Sequence, residues 1–175
     1  MNTEDAKRAM NASLSQPAET APLLRGEWFS CRLDVWNYDV FLFIGKPREM
    51  LDSLSNPKGG KEPPLTIPER IFLSDYLKKQ KELDTPPHNG DAFGQPNFAF
   101  IRLDDYRMGD SEDQLILIHE ALHIANAVVH DIGISGDYNA ECLAYTQECL
   151  LRQLQAKILE RWVEIKNSQG REQGA

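Results

Sequence analysis

The run from Gln114 to Val129 constrains the fold of this chain more than any other stretch, because almost all of its residues are apolar or small. A helix that is apolar on every side is buried in a protein core, so we expect a buried helix over residues 112–129. The titratable exceptions in the run are His119, Glu120 and His123. An unpaired buried charge costs on the order of several kcal/mol, and metal binding would account for these side chains.

The two histidines stand four residues apart. Four helical residues turn by about 400° and rise by about 6 Å, so His119 and His123 point the same way and can bind one metal ion. Glu120 leaves the same turn, close enough to hold a metal-bound water without being a ligand. This is the H-E-x-x-H arrangement of zinc metallopeptidases, in which zinc lowers the pKa of its water toward about 7 and the glutamate accepts the proton as general base.

A third protein ligand is needed, because zinc in a catalytic site takes three and keeps one position for water. A second helix begins near Asp137, and Glu141 lies 18 residues after His123. This is enough chain to end the first helix, turn at residues 133–136 and return antiparallel with a carboxylate facing the histidines. Here the sequence resembles the gluzincins, zinc peptidases with H-E-x-x-H on one helix and a glutamate on the next.

The resemblance covers residues 110–154, about a quarter of the chain. The second gluzincin motif often reads E-x-x-[SA]-D, and here Ala144 matches while Tyr145 stands in place of the aspartate. In the family that aspartate orients a histidine ligand, a role that Tyr145 can fill only through an uncharged hydroxyl. The resemblance implies a zinc-dependent hydrolase, a peptidase of zincin-like fold with one zinc ion. It implies as site residues the metal ligands His119, His123 and Glu141 and the general base Glu120.

Other residues remain candidates for the third ligand or for stabilising an oxyanion. Metzincins place a third histidine six residues after the second, whereas His130 lies seven residues after His123, about 10 Å further along an unbroken helix. We therefore expect His130 to be a residue at the C-terminal end of the helix. Asp131 and Asp137 are weaker alternatives as ligands. The candidates for the oxyanion are Tyr138, Tyr145 and Arg102.

The rest of the chain is typical of a small sheet with further helices. Alternating apolar residues predict a strand over 28–35, and an aromatic run predicts its partner over 38–44, with Asn37 in the turn between them. A third strand is predicted over 97–103, directly before the motif helix, which begins with a capping box of Ser111 and Gln114. Helices are predicted over 47–54, 68–80 and 138–166, and loops over 56–64 and 84–96.

The expected fold is therefore α+β and zincin-like. A small antiparallel or mixed sheet would pack on the buried H-E-x-x-H helix and on the long C-terminal helix. The length of 175 residues and the apolar fraction of 41% indicate one globular domain. We expect a loosely attached segment over 1–23, the domain over 24–168 and a frayed tail over 169–175.

The charge and the cysteine content indicate which partners and which cellular compartment to expect. The net charge of −8 argues against nucleic acid as a partner, and no apolar run is long enough to span a bilayer. The first twelve residues lack the apolar core of a secretory signal. Three cysteines, two of them seven residues apart on one helix, form no disulfide framework. We therefore predict reduced thiols and a cytoplasmic protein.

The expected partner is a peptide or protein substrate. In zincins the strand nearest the cleft lays its free edge along an extended substrate, and the resemblance assigns this role to the strand over 97–103. The far half of the C-terminal helix is expected either to pack on the hairpin or to form a dimer contact. The alternative to a peptidase is a metal-stabilised binding or structural module of the same fold without catalysis. A third possibility is that the histidines are simply buried and hydrogen-bonded.

Overall fold

A computed structural model describes residues 21–55, 63–79, 90–134 and 139–172. The chain is α+β, as predicted. Its strands are β1 (Leu23–Leu24), β2 (Glu27–Leu33), β3 (Tyr38–Ile44), β4 (Gly90–Gln95), β5 (Phe98–Leu103) and β6 (Tyr106–Arg107). Its α-helices are α1 (Pro47–Ser55), α2 (Ile67–Lys79), α3 (Ser111–Asp131) and α4 (Asn139–Glu172).

Four strands form a mixed sheet in the order β2-β3-β5-β4. The predicted hairpin of β2 and β3 is confirmed as an antiparallel pair. Asn37 makes its turn in the left-handed conformation, with φ of 51°, which asparagine tolerates better than most residues. Strand β5 is parallel to β3 and antiparallel to β4. Strands β1 and β6 form a separate short antiparallel pair. Strand β6 directly precedes α3 in the chain.

Helices cover both faces of the sheet, which gives two clusters of core residues. Alternate side chains on a strand point to opposite faces, and the aromatic run in β3 divides accordingly. Val40, Leu42 and Ile44 pack with Leu117 and Ala121 of the motif helix α3, while α4 adds Leu150, Leu154 and Ile158. On the other face, Phe41, Phe43 and Phe100 of the sheet pack with Met50 and Leu54 of α1 and with Leu73 and Leu77 of α2.

The structure corrects four expectations about the elements. Residues 90–95, predicted as part of a loop over 84–96, form strand β4. The strand predicted over 97–103 has no free edge, because β5 is paired with β3 on one side and with β4 on the other. The last helix continues to Glu172 rather than ending near Lys166. Leu23, which was expected in the loose N-terminal segment, lies in β1 and pairs with Arg107 of β6.

Several expectations fall on residues outside the described part of the chain. These are the segment 1–20, most of the loop over 56–64, the first part of the loop over 84–96 and the last three residues. All three cysteines are free, as predicted. Among the described residues, no helix has the length and apolar character needed to cross a membrane.

Candidate metal centre

Helix α3 begins with a cap from Asp110. Its carboxylate accepts hydrogen bonds from the backbone N–H groups of Glu112 and Asp113, which satisfies donors that the first turn of a helix leaves unpaired. The expected capping box of Ser111 and Gln114 is therefore wrong by one residue. Glu112 and Asp113 also place negative charge at the positive end of the helix dipole.

The outer face of α3 is exposed, contrary to the expectation of a helix enclosed on every side. Leu115 is 65% exposed, Ile118 39% and Leu122 41%. The inner face carries Leu117 and Ala121, which are fully buried. The helix is apolar on both faces, but only one of them is covered by the described part of the chain.

His119 and His123 lie side by side on the exposed face. Their Nε2 atoms are 3.1 Å apart, and the rings meet edge to face with centroids 4.7 Å apart. A tetrahedral zinc ion with Zn–N distances of about 2.0–2.1 Å holds two nitrogens about 3.3 Å apart. The observed separation is close to this, so the spacing of the two nitrogens is compatible with two ligands of one metal ion. The histidines are not simply buried, because both rings reach solvent.

Glu120 has the opposite environment to the two histidines, being only 7% exposed. Burial raises the pKa of its carboxyl group, because removal from water disfavours the charged form. The imidazoles of His119 and His123 act in the opposite direction, Asp91 raises this pKa further, and Arg102 lowers it. A carboxylate with a raised pKa beside two paired imidazoles is suited to accept a proton and pass it on.

An open cavity of about 670 Å³ connects these groups. It lies between the beginning of β4 and the outer face of α3, and His119, Glu120 and His123 form part of its wall. The cavity is therefore continuous with both the paired imidazoles and the buried carboxylate. Its other lining residues are Gly90, Asp91, Ala92, Glu112, Leu115 and Ile116.

The predicted third ligand, Glu141, lies in the first turn of α4 and is exposed. It stands five residues before Thr146, which is fully buried. Five helical residues turn by about 500°, so the two side chains leave α4 on different faces. Within the described ranges, no group of three or more His, Cys, Asp or Glu side chains is arranged to hold a metal ion. The structure thus pairs the histidines but does not bring Glu141 to them.

The remaining candidates are placed as follows. Arg102 is 1% exposed, and its guanidinium donates to Asp91 and Asp104, so it is not available to an oxyanion. His130 lies in the last turn of α3, as expected. Asp131 accepts a hydrogen bond of 3.1 Å from the Tyr38 hydroxyl. Tyr145 is 54% exposed on α4. Two other candidates, Asp137 and Tyr138, lie outside the described residues.

Two residues of the cavity were missed in the sequence, Gly90 and Asp91. They stand among glycines and prolines, which indicate a loop more often than a strand. The signal that could have found them is the alternation of Gly90, Ala92 and Gly94 with larger residues, since small side chains on one face of a strand let a helix approach closely.

Comparisons of the chain with protein-family models, with curated proteins and with solved structures find no match.

Proposed function

We propose that this protein is a zinc-dependent hydrolase, and most specifically a peptidase of the gluzincin type with a zincin-like fold. The observation that carries the proposal is the pair of imidazole nitrogens 3.1 Å apart beside a buried glutamate that shares their cavity. His119, His123 and Glu141 would hold the zinc ion, which when bound polarises a carbonyl group and acidifies water. Glu120 would take a proton from that water at its carboxylate and deliver it to the leaving amine.

The arrangement of the last two helices supports Glu141 as third ligand. The side-chain amide of Gln147 donates to the carbonyl oxygen of Ile118 at 3.1 Å, so α3 and α4 touch at this height. The short connection between the helices makes them antiparallel. Glu141 precedes Gln147 by about 9 Å of helix, and His123 follows Ile118 by about 7.5 Å. The two residues therefore lie at similar heights, and the first turn of α4 would have to rotate for the carboxylate to ligate.

The substrate would be a peptide that pairs with β4 rather than with β5. Within the described residues β4 has one partner strand, and its Gly90–Ala92 part lines the cavity. An edge strand offers backbone hydrogen bonds to an extended peptide. We further propose a cytoplasmic setting, in keeping with three free thiols, and the far half of α4 remains a candidate dimer contact.

The second candidate function is a metal-stabilised binding or structural module without catalysis. Histidine ligands are usually oriented by a carboxylate, carbonyl or water. In the described residues the hydrogen bond recorded for each ring joins it to the other ring, and Tyr145 stands where the family has an aspartate. This favours a site that holds a metal weakly or for a structural purpose.

The substitution Glu120→Gln separates the two functions. If the protein is a hydrolase, the variant keeps zinc and stability but loses cleavage of a peptide library, because the amide cannot accept the proton. The control is Glu160→Gln, an exposed glutamate of α4, which should cleave like wild type. Zinc content is measured on untagged protein purified without added metal. Wild-type protein that binds zinc but cleaves no peptide favours the second function, and wild-type protein without zinc contradicts both.

A further inference from the structure

Strand β4 crosses α3 at the general base with no side chain between them. A Cβ atom added to Gly90 would lie 3.0 Å from Cγ of Glu120, 3.0 Å from Cγ2 of Ile116 and 3.1 Å from Oε1 of Glu120. These separations are shorter than ordinary van der Waals contact, which begins near 3.5 Å. Gly90 is not among the residues with positive φ. A side chain here would therefore press on Glu120 and Ile116, and the reason for glycine is space rather than backbone conformation.

The same end of β4 is fixed from the other side by a buried ion pair. Asp91 faces Arg102 across the strand pair, and its Oδ2 accepts from Nε at 2.9 Å and from Nη2 at 2.6 Å. The guanidinium is 1% exposed and also donates to Asp104 and to the carbonyl oxygen of Gly45. Such a fork of hydrogen bonds fixes orientation as well as distance. Gly90 precedes Asp91 directly, so the ion pair acts on the strand one residue away from its close approach to Glu120.

We propose that Gly90 and the Asp91–Arg102 ion pair are positioning residues for Glu120. The ion pair holds the beginning of β4 against α3, and the missing side chain at position 90 lets the carboxylate of Glu120 lie under the strand and reach the cavity beside the histidines. This inference rests on the proposed hydrolase function for its kinetic consequence, but the position of the carboxylate is a property of the protein alone.

The test compares Gly90→Ala with Gly94→Ala, an identical change four residues along the same strand. A Cβ at position 94 would lie 2.7 Å from Cβ of Ala127, which belongs to the helix itself, so this control is expected to lose more stability. It lies away from Glu120, and its kcat per folded molecule should equal that of wild type. Gly90→Ala should instead lower kcat several-fold, less than the roughly hundredfold that a misplacement of about 1 Å can cost, because the carboxylate needs to move by only a few tenths of an ångström. Its KM and zinc affinity should stay within about twofold of wild type.

A second variant and a crystal structure make the result decisive. Asp91→Asn keeps the size of the side chain but weakens its bonds to Arg102, so kcat should fall while zinc affinity is kept. Crystal structures of the metal-free wild type and Gly90→Ala should show the Glu120 carboxylate moved by a few tenths of an ångström or turned to another rotamer. An unmoved carboxylate, or a Gly90→Ala variant with wild-type kcat, overturns the inference. If the wild type cleaves nothing, the hydrolase proposal fails, and the crystal structures still decide the positioning of Glu120.

Discussion

Replacement of Arg102 by methionine should be among the most destabilising single changes on the sheet. The change removes a cation that is 1% exposed and leaves its two carboxylate partners without it, Asp91 with 33% and Asp104 with 19% of its side chain exposed. Removing one partner of a buried ion pair costs roughly 3–5 kcal/mol. Because water reaches both aspartates, we expect the lower end, about 3 kcal/mol, which corresponds to a loss of roughly 6–12 °C in Tm for a domain of this size.

The measurement is equilibrium unfolding in urea followed by tryptophan fluorescence, since guanidinium chloride would screen the charges. The matched control is Arg161→Met, whose guanidinium bonds to Glu27 at 2.7 Å but is 27% exposed. It should lose only about 1 kcal/mol. The triple variant with Asp91→Asn and Asp104→Asn should regain much of the stability lost on replacing Arg102, because no unpaired charge remains. A loss below about 1 kcal/mol for Arg102→Met, or equal losses at the two arginines, would refute this reasoning.

Two further predictions follow from burial. Leu117→Ala should cost about 2–5 kcal/mol of unfolding free energy, because Leu117 is 0% exposed. Leu115→Ala, two residues away, should cost less than about 0.5 kcal/mol, because Leu115 is 65% exposed. Equal losses in urea unfolding would contradict this. Burial raises the pKa of the Cys31 thiol to about 12. The contribution of the buried thiol to the free energy of unfolding is therefore complete below pH 9 and falls as the pH rises toward 12. At pH 8 iodoacetamide should label Cys142 and Cys149 before Cys31, as mass spectrometry can determine.

Most local elements of this protein and the β2–β3 hairpin could be predicted from the sequence, but strand β4 and the pairing of β5 could not. The hairpin of β2 and β3 and the two helices that follow it lie within one or two residues of their predicted bounds, because alternation and turn residues are local signals. Strand β4 was missed, since Gly90 and Gly94 have low strand propensity. They are present because α3 lies so close, and such a tertiary reason leaves little trace in the chain. Without β4, the strand over 97–103 was wrongly expected to lie at the edge.

In the candidate site, too, the local geometry could be predicted, but the placement that depends on tertiary structure could not. The spacing of His119 and His123 determines that the rings meet, because a helix fixes the geometry of residues four apart. The position of Glu141 depends on a connection between two helices, and no periodic pattern specifies that connection. The exposure of Leu115 was also misjudged. An apolar sequence indicates which faces of a helix tolerate burial, while the other elements decide which face they cover.

The outer side of β4 has a consequence for how the protein behaves in concentrated solution. Within the described residues the outer side of β4 has no partner strand, and such an edge can accept a second copy of itself as readily as a peptide. The net charge of −8 keeps molecules apart at low salt. High ionic strength weakens that repulsion, so crowded, salty preparations should favour filament-like aggregates that grow from this one strand.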